Sequence, residues 1–173
     1  MSTTFNQLES IKTSIISLFF FEYYEELQIT YTLLDGTKKE TTAPEECFFY
    51  SDSHETEIGL WLTKHLPEMT NLQRFAYTSR FSSEVSYDFL ISKPDSLKDV
   101  TICHCSDLDM NFLEGIESLT LTNIILDDEN DEEYNLTIFS LLQALPETIK
   151  HVTIGGLNDD IQLPSFKFTL ESY

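Results

Sequence analysis

An α/β fold, with short parallel strands that return after helical stretches and with a helix and β-hairpin closing its N-terminal end, is what the sequence predicts from three observations. The spacing apolar-x-x-apolar-x-apolar occurs four times, as LQRFAY from Leu72, LKDVTI from Leu97, IESLTL from Ile116 and IKHVTI from Ile149. A helix-like stretch, a proline, a short turn and a strand follow one another three times, through ETEIGLWLTKHL and Pro67, SEVSYDFLI and Pro94, and YNLTIFSLLQAL and Pro146. Strand starts at 72, 97, 116 and 149 lie 25, 19 and 33 residues apart. Hairpin loops of about two to five residues do not account for such distances, whereas repeats of about 20 to 29 residues with a helical return do.

The elements follow in chain order. Apolar residues at 5, 8, 11, 15, 18 and 19 predict a helix from Phe5 to about Tyr24, with Thr3 or Thr4 as its cap. Its second half is apolar nearly all round, and the cluster FFFEYY also fits the beginning of a strand. ELQITYTLLDGTKKETT places β-branched and aromatic residues before Asp35-Gly36, a dipeptide that tolerates the positive φ of a hairpin turn. CFFY, residues 47 to 50, reads as a further short strand after Pro44. Trp61 shares a helix face with Ile58, Leu62 and His65, which is a core-packing pattern. MNFLEG shortens the third helix to about one turn, which explains the spacing of 19, and an acidic insertion before Tyr134 explains the 33. Gly155 and Gly156 read as a turn after the last strand. The whole chain, 1–173, is expected to be one domain, with 1–50 as the cap and 51–173 as the repeating part.

At Leu97, Val100, Ile102, Cys105 and Leu108 the chain resembles the leucine-rich repeat family, whose unit is L-x-x-L-x-L-x-x-N/C-x-L followed by a helical return. The resemblance covers about residues 57 to 163. Arg80, Ile124 and Leu157 stand where the family has Asn or Cys, so the repeat is irregular. The resemblance implies a short solenoid of parallel strands, with Val100, Leu119 and Val152 in the core and the intervening side chains on an exposed face. Thr101, Thr120 and Thr153 would form a ladder on that face. Gln73, Arg74, Ala76, Lys98, Asp99, Glu117, Ser118, Lys150 and His151 would flank it, and such a face usually binds a protein partner.

Composition restricts the partner. Thirty acidic against ten basic residues give a net charge of −20, which repels phosphate backbones and anionic membranes. Residues 1 to 95 hold fifteen acids and seven bases, while 96 to 173 hold fifteen and three, so a basic partner is drawn mainly to the second half. Cys47, Cys103 and Cys105 are too few and odd in number for a disulfide framework, which favours a reducing, cytoplasmic setting. The apolar run IISLFFF is preceded only by Lys12 and followed by Glu22, Glu25 and Glu26, unlike a signal peptide, and it falls well short of the ~20 residues of a membrane span.

Candidate chemistry is sparse. Cys103-His104-Cys105 contains zinc-ligand types, but strand alternation puts His104 on the face opposite the two cysteines and no second pair completes the shell, so the cysteines read as structural. DLDMNFLEGIES from Asp107 lacks the glycine and the terminal glutamate of a calcium loop, having Phe112 and Ser118 there, and Asp107 reads as a cap. No metal or cofactor is expected. The acidic run Asp127, Asp128, Glu129, Asp131, Glu132 and Glu133 is exposed, either as a solvated insertion or as an electrostatic contact for a basic protein. The histidines at 54, 65, 104 and 151 are scattered, and no catalytic motif appears.

The expected function is therefore a protein-binding module acting through Arg74, Lys98, Asp99, Thr101, Glu117, Thr120, Lys150, His151 and Thr153, with the acidic run hastening encounter. A sharper form is an inhibitor or immunity protein that imitates the anionic substrate of a basic enzyme such as a nuclease toxin. The alternatives are an enzyme or enzyme subunit using His151, His104 and nearby acids, and a substrate-recruiting adaptor.

Overall fold

The computed structural model describes residues 3–23, 26–44, 57–79, 86–103, 110–122, 138–155 and 165–172. Helix α1, Thr3–Ile11, buries Phe5 and Leu8, one turn apart on a single face. The expected helix to Tyr24 is corrected here: α1 stops at Ile11, a short 3-10 turn covers Lys12–Ser14, and Ile15–Tyr23 is strand β1. Branching at Cβ in Ile15 and Ile16 and the rings of Phe19, Phe20 and Phe21 suit a pleated surface better than a helix, where side chains crowd the preceding turn. Thr4 does not act as the cap by its hydroxyl, which donates to the Thr42 carbonyl at 2.8 Å.

Strands β2 (Glu26–Leu33) and β3 (Lys38–Pro44) form the expected hairpin. Gly36 has φ 84°, its N–H donates to the Leu33 carbonyl at 2.9 Å, and the Asp35 carboxylate accepts from the Thr37 N–H at 2.9 Å. The CFFY strand lies outside the described residues. Helix α2, Glu57–His65, follows, with Ile58, Trp61, Leu62 and His65 buried as their spacing predicts. Phe5 and His65 each bring a ring centroid to 5.2 Å from that of Trp61.

The remaining strands are β4 (Arg74–Ser79), β5 (Asp99–Cys103), β6 (Ser118–Thr122), β7 (His151–Ile154) and β8 (Thr169–Ser172). One eight-stranded sheet has the order β3-β2-β1-β4-β5-β6-β7-β8. From β1 to β8 all neighbours are parallel, and β1-β2-β3 is antiparallel. The fold is thus α/β with a mostly parallel sheet, as expected, but its parallel part is wider than the four parallel strands predicted. β1 extends it on one side, and β8 follows the Gly155 turn that was expected to close it. Of the connections, SEVSYDFLI was expected to be helical; its described part contains a 3-10 helix, Asp88–Ser92. Asn111–Leu113 is the single short turn predicted, and residues 138–143 are α-helical.

A local pattern repeats at the entries to β4, β5, β6 and β7. The N–H groups of Leu72, Leu97, Ile116 and Ile149 donate to the carbonyls of Met69, Pro94, Leu113 and Pro146 at 2.9, 3.0, 3.0 and 3.1 Å, closing four equivalent turns. The next residue then accepts two N–H groups from the following strand entry. Gln73 accepts from Lys98 and Asp99, Lys98 from Glu117 and Ser118, and Glu117 from Lys150 and His151. The three apolar positions of all four copies are no more than 3% exposed, from Leu72, Phe75 and Tyr77 to Ile149, Val152 and Ile154. The repeated sequence spacing is therefore a repeated turn and strand entry.

Successive parallel strands advance in one direction across the sheet, and the described connecting segments, α2 and the 3-10 turns at 66–68, 88–92 and 111–113, bury their apolar residues in the same core as the strands. The core lies between the sheet and these connections and forms one cluster from Phe5 to Ile154. The opposite side of the sheet carries the alternate, partly exposed residues.

Candidate functional site

That open side is organised into rungs by the strand register. One rung crosses all eight strands as Glu40, Thr30, Phe19, Ala76, Thr101, Thr120, Thr153 and Glu171. Thr101, Thr120 and Thr153 are thus adjacent and half-buried, each flanked along its strand by core residues. The neighbouring rung, toward the strand starts, is Lys38, Thr32, Ser17, Arg74, Asp99, Ser118, His151 and Thr169.

At the beginning of β4 to β7 the second rung opens into a shallow groove of about 590 Å³, lined by Arg74, Lys98, Asp99, Glu117, Ser118 and His151 among others. Arg74 Nε lies 3.7 Å from Asp99 Oδ2, Lys150 Nζ 2.6 Å from Glu117 Oε2, and Lys98 Nζ donates to the Gly115 carbonyl at 3.2 Å. Partial burial pushes the Asp99 carboxyl above its ordinary value, and the Arg74 charge opposes that shift. The hydrogen bond and charge of Lys150, helped by Lys98, hold the exposed Glu117 below the usual carboxylate range. Solvent screens surface pairs of this kind, so they orient side chains more than they stabilise the fold. The structure brings together all nine strand-face residues expected from the sequence. The acidic residues from Asp127 to Glu133 lie outside the described residues, as do His54, His104, Cys47, Cys105 and Asp107.

Two features were missed in the sequence. The first is the aromatic row Phe19, Phe21 and Tyr23 on the open side of β1, whose Phe21 and Tyr23 ring centroids are 5.9 Å apart. Leu18, Phe20 and Glu22 alternate with it and are fully buried, so the signal was a period of two inside a segment whose apolar spacing also fitted a helix.

The second is a buried polar cluster near the strand ends. Glu22 is 0% exposed and stands in register with buried Ser79. Burial first, and then the Glu22 carboxylate, push the Tyr77 phenol well above its usual value. The Tyr87 hydroxyl donates to the Cys103 carbonyl at 2.6 Å and accepts from the Cys103 N–H at 3.0 Å, and burial raises its pKa strongly. Both phenols remain protonated, and Tyr87 clamps the end of β5 to the connection that precedes it. The Cys103 side chain is itself buried in the core, consistent with the structural role expected for it.

Among the described residues, no three His, Cys, Asp or Glu side chains converge as a metal-binding group. Among the same residues, no helix is long and apolar enough to cross a membrane. No protein-family model, curated protein or solved structure matches the chain.

Proposed function

We propose that the chain is a protein-binding module, built as a short leucine-rich-repeat-like solenoid and acting through the open strand face. The observation that carries this reading is the rung structure itself. Eight strands line up their alternate side chains in continuous rungs on one side, which none of the described helical segments is packed over, and the centre of that side consists of short, stiff threonines edged by paired charges. Pre-ordered side chains lose little entropy on binding, and the mixed charges set orientation. The four equivalent turns and strand entries support the solenoid reading. The groove at Asp99 and His151 is open and shallow, which suits recognition better than the enclosed chemistry of an enzyme.

The net charge of −20 favours a basic partner, and the module acts as an inhibitor or immunity protein that occupies the anion-binding surface of a basic enzyme in the cytoplasm. The test is quantitative affinity capture with the wild-type chain, with Thr101→Arg/Thr120→Arg, and with Lys64→Glu on the exposed side of α2 as control. The strand-face variant is expected to lose a partner that the control retains. Identical capture by all three forms rules out the strand face.

A further inference from the structure

We propose that the aromatic row on the open side of β1 is where the partner's arginine or lysine side chains dock, so that the occupant is a basic segment of a protein. The inference rests on reading the strand face as a partner surface, and locates the principal cation-binding part of that surface on Phe19, Phe21 and Tyr23.

A solvated sheet face ordinarily carries polar side chains in alternation with the core. β1 departs from this, with Phe19 39% exposed and Phe21 and Tyr23 half-buried on that side. Their neighbours across the sheet are shorter: Thr30 and Ala76 beside Phe19, Gln28 and Thr78 beside Phe21. Among the described residues, then, the rings stand above shorter side chains on both flanks, a surface across which a partner's long side chain would lie.

Charge selects what lies there. Glu26 is directly opposite Tyr23 on β2, and Glu40 ends the rung that contains Phe19. The face of an aromatic ring attracts a cation within about 6 Å, and a carboxylate beside it adds an ion pair. A guanidinium satisfies both demands, since its plane stacks on a ring while its edge donates to a carboxylate. Lys38 and Arg74 lie on the rung toward the strand starts, so cations are favoured at the Tyr23 end of the row. A phosphate-bearing polymer meets the opposite preference, from both the local carboxylates and the overall charge.

The probe is fluorescein-labelled octa-arginine, titrated into the full chain by anisotropy, with amide NMR shifts to locate it and octa-glutamate as control. Phe19→Ala leaves the net charge unchanged, so any affinity it loses does not come from bulk attraction to an acidic protein. Expected are a loss of about threefold for Phe19→Ala and about tenfold for Phe19→Ala/Phe21→Ala, with Phe19→Leu as weak as Phe19→Ala, and shifts centred on β1. Equal affinity of the double variant, full affinity of Phe19→Leu, or shifts centred elsewhere overturns the proposal. If the double variant loses its native urea transition, Tyr23→Ala/Glu26→Gln decides the matter, since an unchanged affinity at matched ionic strength overturns the proposal equally well. The broader reading is judged separately by Thr101→Arg/Thr120→Arg, so failure of one is distinguishable from failure of the other.

Discussion

Leu119 and Thr120 are adjacent on β6 yet face opposite environments, and exchanging each for alanine tests the whole arrangement. Leu119 is 0% exposed and in register between Val100 and Val152, both buried, so truncation removes packed atoms that the connections and neighbouring strands cannot fully replace. Lost transfer energy and the residual cavity together cost about 3 kcal/mol, within the usual range of about 2–5 kcal/mol for such changes. Thr120 is half-buried in the ladder between Thr101 and Thr153, and Thr120→Ala forfeits only β-branching and some cross-strand contact, about 0.5–1 kcal/mol. Equilibrium urea denaturation of the three proteins measures both, with unchanged slopes as the sign that only stability has moved. Because side chains alternate with a period of two, a strand shifted by one residue would exchange the two results. Equal losses, or a larger loss for Thr120→Ala, refute the assigned face and the ladder with it.

Arg74→Ala is expected to raise the Asp99 pKa further, because the burial that already lifts it is then unopposed. A carboxyl whose folded pKa exceeds its unfolded value favours the fold at low pH, and that contribution fades as pH rises through the folded pKa, so the variant steepens this fall; a carboxyl NMR titration showing no upward shift contradicts it. Lys150→Met should return Glu117 toward the ordinary carboxylate range, abolishing a contribution that the wild type holds above the unfolded pKa and loses as pH falls through the lower folded one. The same titration checks that shift. Tyr87→Phe removes a hydroxyl bonded to both the N–H and the carbonyl of buried Cys103, and should cost about 1–3 kcal/mol in urea, whereas unchanged stability would show that the bridge contributes nothing.

The repeating part was legible because its signal is local. An apolar residue, two others, then two apolar residues in alternation describe a turn entering a half-buried strand, and Leu97, Val100 and Ile102 need no distant information to be recognised. The same alternation put Thr101, Thr120 and Thr153 on one face before any pairing was known. Residues 15 to 23 were not legible in this way. IISLFFFEY is apolar on every side of a helix and on both faces of a strand, so its own pattern supports either, and the helix prediction ran through it. What decides for a strand is pairing with β2 on one side and β4 on the other, the latter more than 50 residues along the chain. β8 was hidden for the converse reason. Its side chains are mostly exposed and carry little periodicity, and its place comes from backbone pairing with β7, begun by the Thr169 N–H on the Lys150 carbonyl.

By itself, then, the sequence determined the repeat unit, the hairpin at Asp35-Gly36 and the side of each repeated strand that enters the core, because each depends on side-chain spacing or on backbone freedom within a few residues. Only the tertiary structure decided the width of the sheet, the burial of Glu22 beside Tyr77, and the partial exposure of Phe19, Phe21 and Tyr23 on the open side. Those depend on which strands lie side by side, a choice set by the joint packing of distant segments.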